Sequence, residues 1–158
     1  MNAHHNYQLT IKWTGNKGEG TSGYRGYERS HTISIDRKVN IEASSDPAFR
    51  GDNTKHNPEE LLVAALASCH MLSFLYECAK AGVVATNYID HATGTMLETP
   101  DGGGHFTEVT LNPVVTVKEK SMMEIANQLH HKASQLCFIA NSVNFPVHHN
   151  PVAKLEDD

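Results

Sequence analysis

The stretch NPEELLVAALASCHML, residues 57–72, decides how the rest of the chain is read, because it opens with every local signal of a helix start and carries no charge after Glu60. Asn57 is a good N-cap, Pro58 suits the first helical position, and Glu60 stands three residues after Asn57, the spacing of a capping box. Nothing breaks the pattern until Gly82, which predicts a helix of about 24 residues, ~36 Å long at 1.5 Å per residue. From Leu61 to Leu75 it is apolar nearly all round, which places it in the centre of the structure. Cys69 lies in the middle of that run. Free cysteine is among the most buried residue types, so by itself Cys69 reads as a small hydrophobe filling core space.

The 158 residues are expected to form one domain, 1–158, large enough for a single core. With 39% hydrophobic and 20% charged residues the composition is that of a globular protein, and a formal charge of −5 argues against a nucleic-acid or anionic-membrane partner. The opening MNAHHNYQLTIKW lacks the apolar core of a signal peptide, and no run approaches the ~20 apolar residues of a membrane span, so a cytoplasmic location is expected. Three cysteines, Cys69, Cys78 and Cys137, do not look like a secreted disulfide framework.

Upstream of the helix, YQLTIKW alternates as a half-buried strand does, and GNKGEGTSGYRGY is a Gly-rich connection. It lacks the GK[ST] ending of a phosphate cradle and no helix pattern follows, so a turn or long hairpin loop is the reading. SHTISI and VNIEA flank the turn DRK as two further strands, and SSDPAFRGDNTKH is a polar loop. Downstream, NYIDHATGTML and FTEVTLNPVVTV each read as one strand, joined by ETPDGGGH. Ser121 and Glu124 repeat the capping-box spacing and open a second helix, MMEIANQLHHKASQL, with Cys137 at its far end. SVNFPVHHNPVAKLE closes the chain as a strand whose Pro146 and Pro151 favour an edge or irregular pairing. The order is β-β-β-α-β-β-α-β, an α+β arrangement without internal repeats.

Nine steps of about 100° put Cys78 on the opposite side of the helix from Cys69, so the two cannot share a site. Cys69 is also a dozen residues into its helix, beyond reach of the helix dipole, so a reactive thiolate there needs a cation from elsewhere in the fold. Arg25, Arg29 and Arg50 are the upstream candidates. Cys137, flanked by Leu136, Phe138 and Ile139, reads alone as core. Two helices that each present one cysteine could nevertheless bring them to the 4.4–6.8 Å Cα spacing of a disulfide.

NPEELLVAALASCHM followed some seventy residues later by CFIANSV resembles the OsmC/Ohr family of thiol-dependent organic hydroperoxide reductases. The resemblance extends to WTGNKGEGTSGY and SSDPAFRGD, and so covers essentially the whole chain. It implies a peroxidatic Cys69, which becomes a sulfenic acid, and a resolving Cys137, which closes a disulfide with it. It also implies a catalytic arginine before the NPE motif, which both Arg50 and Arg29 match, Arg50 the better at seven residues before Asn57. Glu59, from the NPE motif, would orient that arginine. Glu59 stands about 15 Å along the helix from Cys69, which favours a site shared between two chains, as in the intertwined homodimers of the family. The implied partners are an organic hydroperoxide and a dithiol reductant, with a lipoyl-type dithiol the candidate, and no cofactor is implied. One departure is Cys137-Phe138, where many members have Cys-Pro.

Three rival readings remain. Eleven histidines invite a metal site drawn from Cys69, His70, His130, His131, His148 and His149, but adjacent His-His pairs point in different directions and no CxxC or HxxxH pair occurs. A Cys-His hydrolase would need His130 or His131 as base, since His70 faces about 100° from Cys69. The third is a dimeric ligand-binding or stress protein with inert cysteines. Phe49, Met71, Phe74 and Phe138 are candidates for an apolar pocket, although residues at such spacing usually form plain core.

Overall fold

The computed structural model describes residues 3–156, which group into two compact units that divide between Leu61 and Leu62. In the first, β1 (Thr10–Trp13), β2 (His31–Ser34) and β3 (Ile41–Ala43) form an antiparallel sheet in that order. The Gly-rich segment is the long hairpin loop between β1 and β2. Its ends are held by Thr14 donating to the Ser30 carbonyl at 2.9 Å and Glu28 to that of Gly15 at 2.9 Å. All four residues of β1 are exposed, so the alternation in YQLTIKW does not correspond to a buried face. Arg37 turns the β2–β3 hairpin with φ of 62°.

Helix α1 runs over Pro58–Ala81 as expected. The capping box forms: the Glu60 amide donates to Asn57 Oδ1 at 2.8 Å and the Asn57 amide to Glu60 Oε2 at 3.2 Å. At the other end Gly82, with φ of 72°, lets Val83 donate to the Cys78 carbonyl at 2.9 Å and close a Schellman motif. The helix is not buried all round. Its buried residues, Leu66, His70, Phe74, Glu77 and Cys78, follow a spacing of three and four and so form one stripe. Leu72 and Tyr76 on other faces are 62% and 61% exposed. By length and composition alone α1 would pass as a membrane span, which corrects the expectation that no run approaches one. The core helix of a water-soluble protein meets the same criteria, and the α1 stripe is core.

The second unit holds β4 (Ala85–Asp90), β5 (Thr93–Glu98), β6 (Gly104–Leu111), β7 (Pro113–Val117), α2 (Met122–Leu136), β8 (Val147–His149) and β9 (Val152–Leu155). These make two three-stranded sheets, β4-β7-β9 and β5-β6-β8, in which β9 and β8 are parallel edges. Each of the three long segments expected as one strand is therefore two, broken at residues 91–92, 112 and 150–151. Pro113 and Pro151 cannot donate to a continuing ladder. Asparagine side chains take over at the breaks. The Asn112 amide donates to Asp90 Oδ1 at 2.7 Å, Asn112 Nδ2 to the His91 carbonyl at 2.9 Å, and Asn150 Nδ2 to Asn112 Oδ1 at 3.2 Å.

The capping box expected at Ser121 does not form. Ser121 is itself helical, with φ of −60° and ψ of −21°, and the amides of Met122 and Met123 are taken by the carbonyls of Glu119 and Lys120, so the helix turn begins before Ser121. Buried Ala126, His130 and Ala133 line one face of α2, packing with Phe74, Cys78, Val83, Val115 and Val117 in the main core. Leu66, Val109 and Leu111 centre a second cluster.

Candidate functional site

Cys69 and Cys137 come together. Cys69 is half-buried on α1, and Cys137, which caps the C-terminus of α2, is buried. The two thiols are near enough for Cys69 to raise the Cys137 thiol, and Cys137 Sγ accepts from the Ala140 amide at 3.4 Å. Burial first, and then the contact with Cys69, push the Cys137 thiol up to about 11, so it is protonated at neutral pH. All three cysteines are free thiols. Cys78 lies in the main core, and burial raises its thiol to about 11.

In the first unit Arg29 and Arg50 both approach Tyr24, but their situations differ. The Arg29 guanidinium donates to the carbonyls of Tyr27 at 2.7 Å and Tyr24 at 2.8 Å, and lies over both rings at 4.2 and 4.4 Å. Arg50 is 5.9 Å from the Tyr24 ring, with no hydrogen bond from its guanidinium among the described residues. It caps a 3-10 turn over Pro47–Phe49 with φ of 66°, a conformation a non-glycine residue adopts at a cost of about 1 kcal/mol or more. Arg25 is exposed. Glu59 pairs with none of these arginines among the described residues, and its Oε2 is buried without a hydrogen-bond partner.

Next along α1 from Cys69 is a histidine group whose members the sequence offers as metal ligands or bases. His70 and His130 are almost fully buried, and His70 Nε2 lies 2.9 Å from His130 Nδ1. The His149 ring stands 4.6 Å from that of His70, and Phe74 stacks on His130 at 3.9 Å. His131 and His148 point outward, as expected for adjacent pairs. The three inner histidines converge from α1, α2 and β8, yet among the described residues no group of three His, Cys, Asp or Glu is arranged to hold a metal ion. No histidine is hydrogen-bonded to Cys69 among those residues, and the His130 Nδ1 that a hydrolase could use is taken by His70. A third tie between the helices is the buried Glu77 carboxylate, which accepts from Lys132 Nζ at 2.8 Å and Lys80 Nζ at 3.0 Å. Of the four pocket candidates, Phe74 is core and Phe138 is exposed.

A mixed fold of this order, with a thiol pair bridging its two helices, defines a class of dithiol proteins. The match to the family described as OsmC-like protein, over residues 51–151, makes the chain a member of that family. An OsmC-like protein of unknown function from Vibrio cholerae has 32% identity and a TM-score of 0.84, covering 94% of this chain and 100% of its own. An organic hydroperoxide resistance protein from Elizabethkingia anophelis shares the fold at 17% identity and a TM-score of 0.67, covering 98% of this chain and 100% of its own. Another from Legionella pneumophila does so at 17% and 0.68, covering 96% and 99%. No curated protein matches the sequence.

Proposed function

We propose that the protein is a thiol-dependent peroxidase that reduces organic hydroperoxides to alcohols. The observation that carries this is the approach of two free thiols, Cys69 from α1 and Cys137 from the end of α2. Cys137, buried and held protonated, is the resolving sulfur, and Cys69, half-buried on α1, is the one that meets peroxide. The Cys69 thiolate attacks one peroxide oxygen, the O–O bond breaks, and the alkoxide leaves as alcohol after taking a proton. Cys69 is then a sulfenic acid. Cys137 sulfur attacks it, the S–S bond forms, the S–O bond breaks, and hydroxide leaves with the Cys137 proton as water. A dithiol reduces the disulfide back to two thiols and is itself oxidised to a disulfide.

Arg50 is the cation of choice because Arg29 is already committed to two carbonyls and two rings. Glu59 is its orienting carboxylate, a role supported by a buried oxygen that still lacks a donor. The working form is a homodimer, with the exposed apolar faces of α1 against one another. Both units act together as one OsmC-like domain, an extent supported by the coverage of the Vibrio cholerae structure. The reaction suits a reducing cytoplasm, and neither nucleic acid nor membrane takes part.

Peroxide consumption with a dithiol present tests this. Cys69→Ser should lose all reaction with an alkyl hydroperoxide. Cys137→Ser should release about one equivalent of alcohol per site and stall as a sulfenic or sulfinic acid. Intact mass after stoichiometric oxidant should show wild-type protein lighter by two hydrogens. Wild-type protein showing neither a disulfide nor added oxygen would sink the proposal.

A further inference from the structure

We propose that the His70–His130 hydrogen bond is a positioning clasp that sets the register at which Cys69 and Cys137 close their disulfide. This rests on the reading of those thiols as the reacting pair. His70 follows Cys69 directly on α1. His130 precedes Cys137 by seven residues, two helical turns, and so lies on the same face of α2. The clasp thus stands one residue from Cys69 on α1 and two turns from Cys137 on α2. It joins neutral rings, one nitrogen donating and the other accepting across 2.9 Å.

The apolar contact between the helices fixes a register only weakly. Around Phe74 it is made by small side chains, Cys78, Ala126 and Ala133, over which sliding costs little shape complementarity. A directional hydrogen bond between buried groups does discriminate, as polar residues do in other helix seams. The ring positions are themselves held, His130 between Phe74 at 3.9 Å and His70 at 5.2 Å, both nearly parallel to it. Burial of two imidazoles where aliphatic groups would fill the space is otherwise a pure cost, increased by a His70 Nδ1 that has no partner. Glu77 and Lys132 tie the helices too, two turns further from Cys69 on α1 though two residues nearer Cys137 on α2, and through a long, half-exposed lysine. Disulfide closure tolerates only a narrow range of Cα spacing, so closure is the step the clasp governs.

The test uses reduced full-length protein and reads closure in two ways. Diamide oxidises a thiol pair without peroxide chemistry; tert-butyl hydroperoxide is used with a 1,3-dicarbonyl trap for sulfenic acid. His70→Phe/His130→Phe keeps the stack and leaves neither ring with an orphaned nitrogen. It should fold and close about tenfold more slowly in diamide, the effect of losing one directional contact. With peroxide it should lose the Cys69 thiol at the wild-type rate while the trap captures more sulfenic acid. His70→Gln and His130→Asn, whose amides place polar atoms near Nε2 and Nδ1, should each close within about twofold of wild type. If the double variant does not fold, His130→Phe, which keeps the stack on Phe74, takes its place against His130→Asn. A phenylalanine variant that closes at the wild-type rate overturns the clasp, as do amide variants as slow as the phenylalanine ones. Wild-type protein that closes in diamide yet ignores peroxide overturns the peroxidase reading alone, and the diamide rates still decide the clasp.

Discussion

The inward and outward faces of α1 invert the usual distribution of polarity. The inward stripe carries two groups that are expensive to bury, His70 and Glu77, and each has found a partner on α2. The outward face carries Leu72, Leu75 and Tyr76, which cost nothing to bury, and these are exposed. Hydrophobicity alone therefore does not determine which face of this helix the chain covers, since His70 and Glu77 share the inward stripe with Leu66, Phe74 and Cys78. Directional contacts to α2 mark the inward face, and the outward face leaves apolar side chains exposed.

The outward face gives the largest expected effect. Each fully buried Leu or aromatic side chain contributes about 1.5–3 kcal/mol, so three per chain across a twofold interface account for a strong dimer. Leu72→Glu/Tyr76→Glu should convert the protein to monomer in sedimentation at micromolar concentration and abolish turnover. The same change on a protein that is monomeric as wild type would leave sedimentation untouched, and the two-faced description of α1 would then be wrong.

The inward face should be acid-labile. Burial first, and then His149 and His130, pull His70 down to about 3; burial and then His149 pull His130 down to about 4. The unfolded chain takes protons near pH 6.5 while the folded one does not, so stability is full above that value and falls between pH 6.5 and 3. The facing groups are His149 from β8, with His148 and His131 beside it, and Tyr88 from β4, next to Asp90. None supplies a counter-charge to His70. Glu77, held below the ordinary carboxylate range by its hydrogen bonds to Lys132 and Lys80, loses its ties in the same direction as pH drops. Two imidazoles shifted this far are worth several kcal/mol, to order of magnitude. Denaturant midpoints measured from pH 7.5 to 4 should fall steeply for wild type and less for His70→Phe/His130→Phe. Equal slopes would mean that the histidines are not what makes the inward face sensitive.

What the sequence revealed of these faces follows from range. The start and end of α1 were legible because a capping box and a Gly82 stop are contacts over three to five residues. The same pattern misled at Ser121, where the preceding turn had already supplied acceptors. The strand breaks had a local signal too, the Asn-Pro pairs at 112–113 and 150–151, which continuous apolar patterning masked. The thiol pair was legible through a family resemblance and not through periodicity. His70 and His130 are sixty residues apart, and only the fold brings them together. Sequence reading considered each as a metal ligand or base and had no means of seeing one as the partner of the other.

The smallest effect should come from Cys78, which shares the inward face but not its polar role. It lies nine residues from Cys69, on the far side of the helix from the thiol pair, and packs against Phe74, Val115 and Val117. Burial alone keeps its thiol at about 11, so it has almost no thiolate at neutral pH. Cys78→Ala removes one sulfur from a tight core, a loss of about 1 kcal/mol that a modest drop in denaturant midpoint would register. Peroxide consumption and diamide closure of Cys69 with Cys137 should stay at wild-type rates. If Cys78→Ala slowed closure as much as the phenylalanine pair does, register would be set by core packing in general. The distinction between directional and apolar contacts on this face of α1 would then disappear.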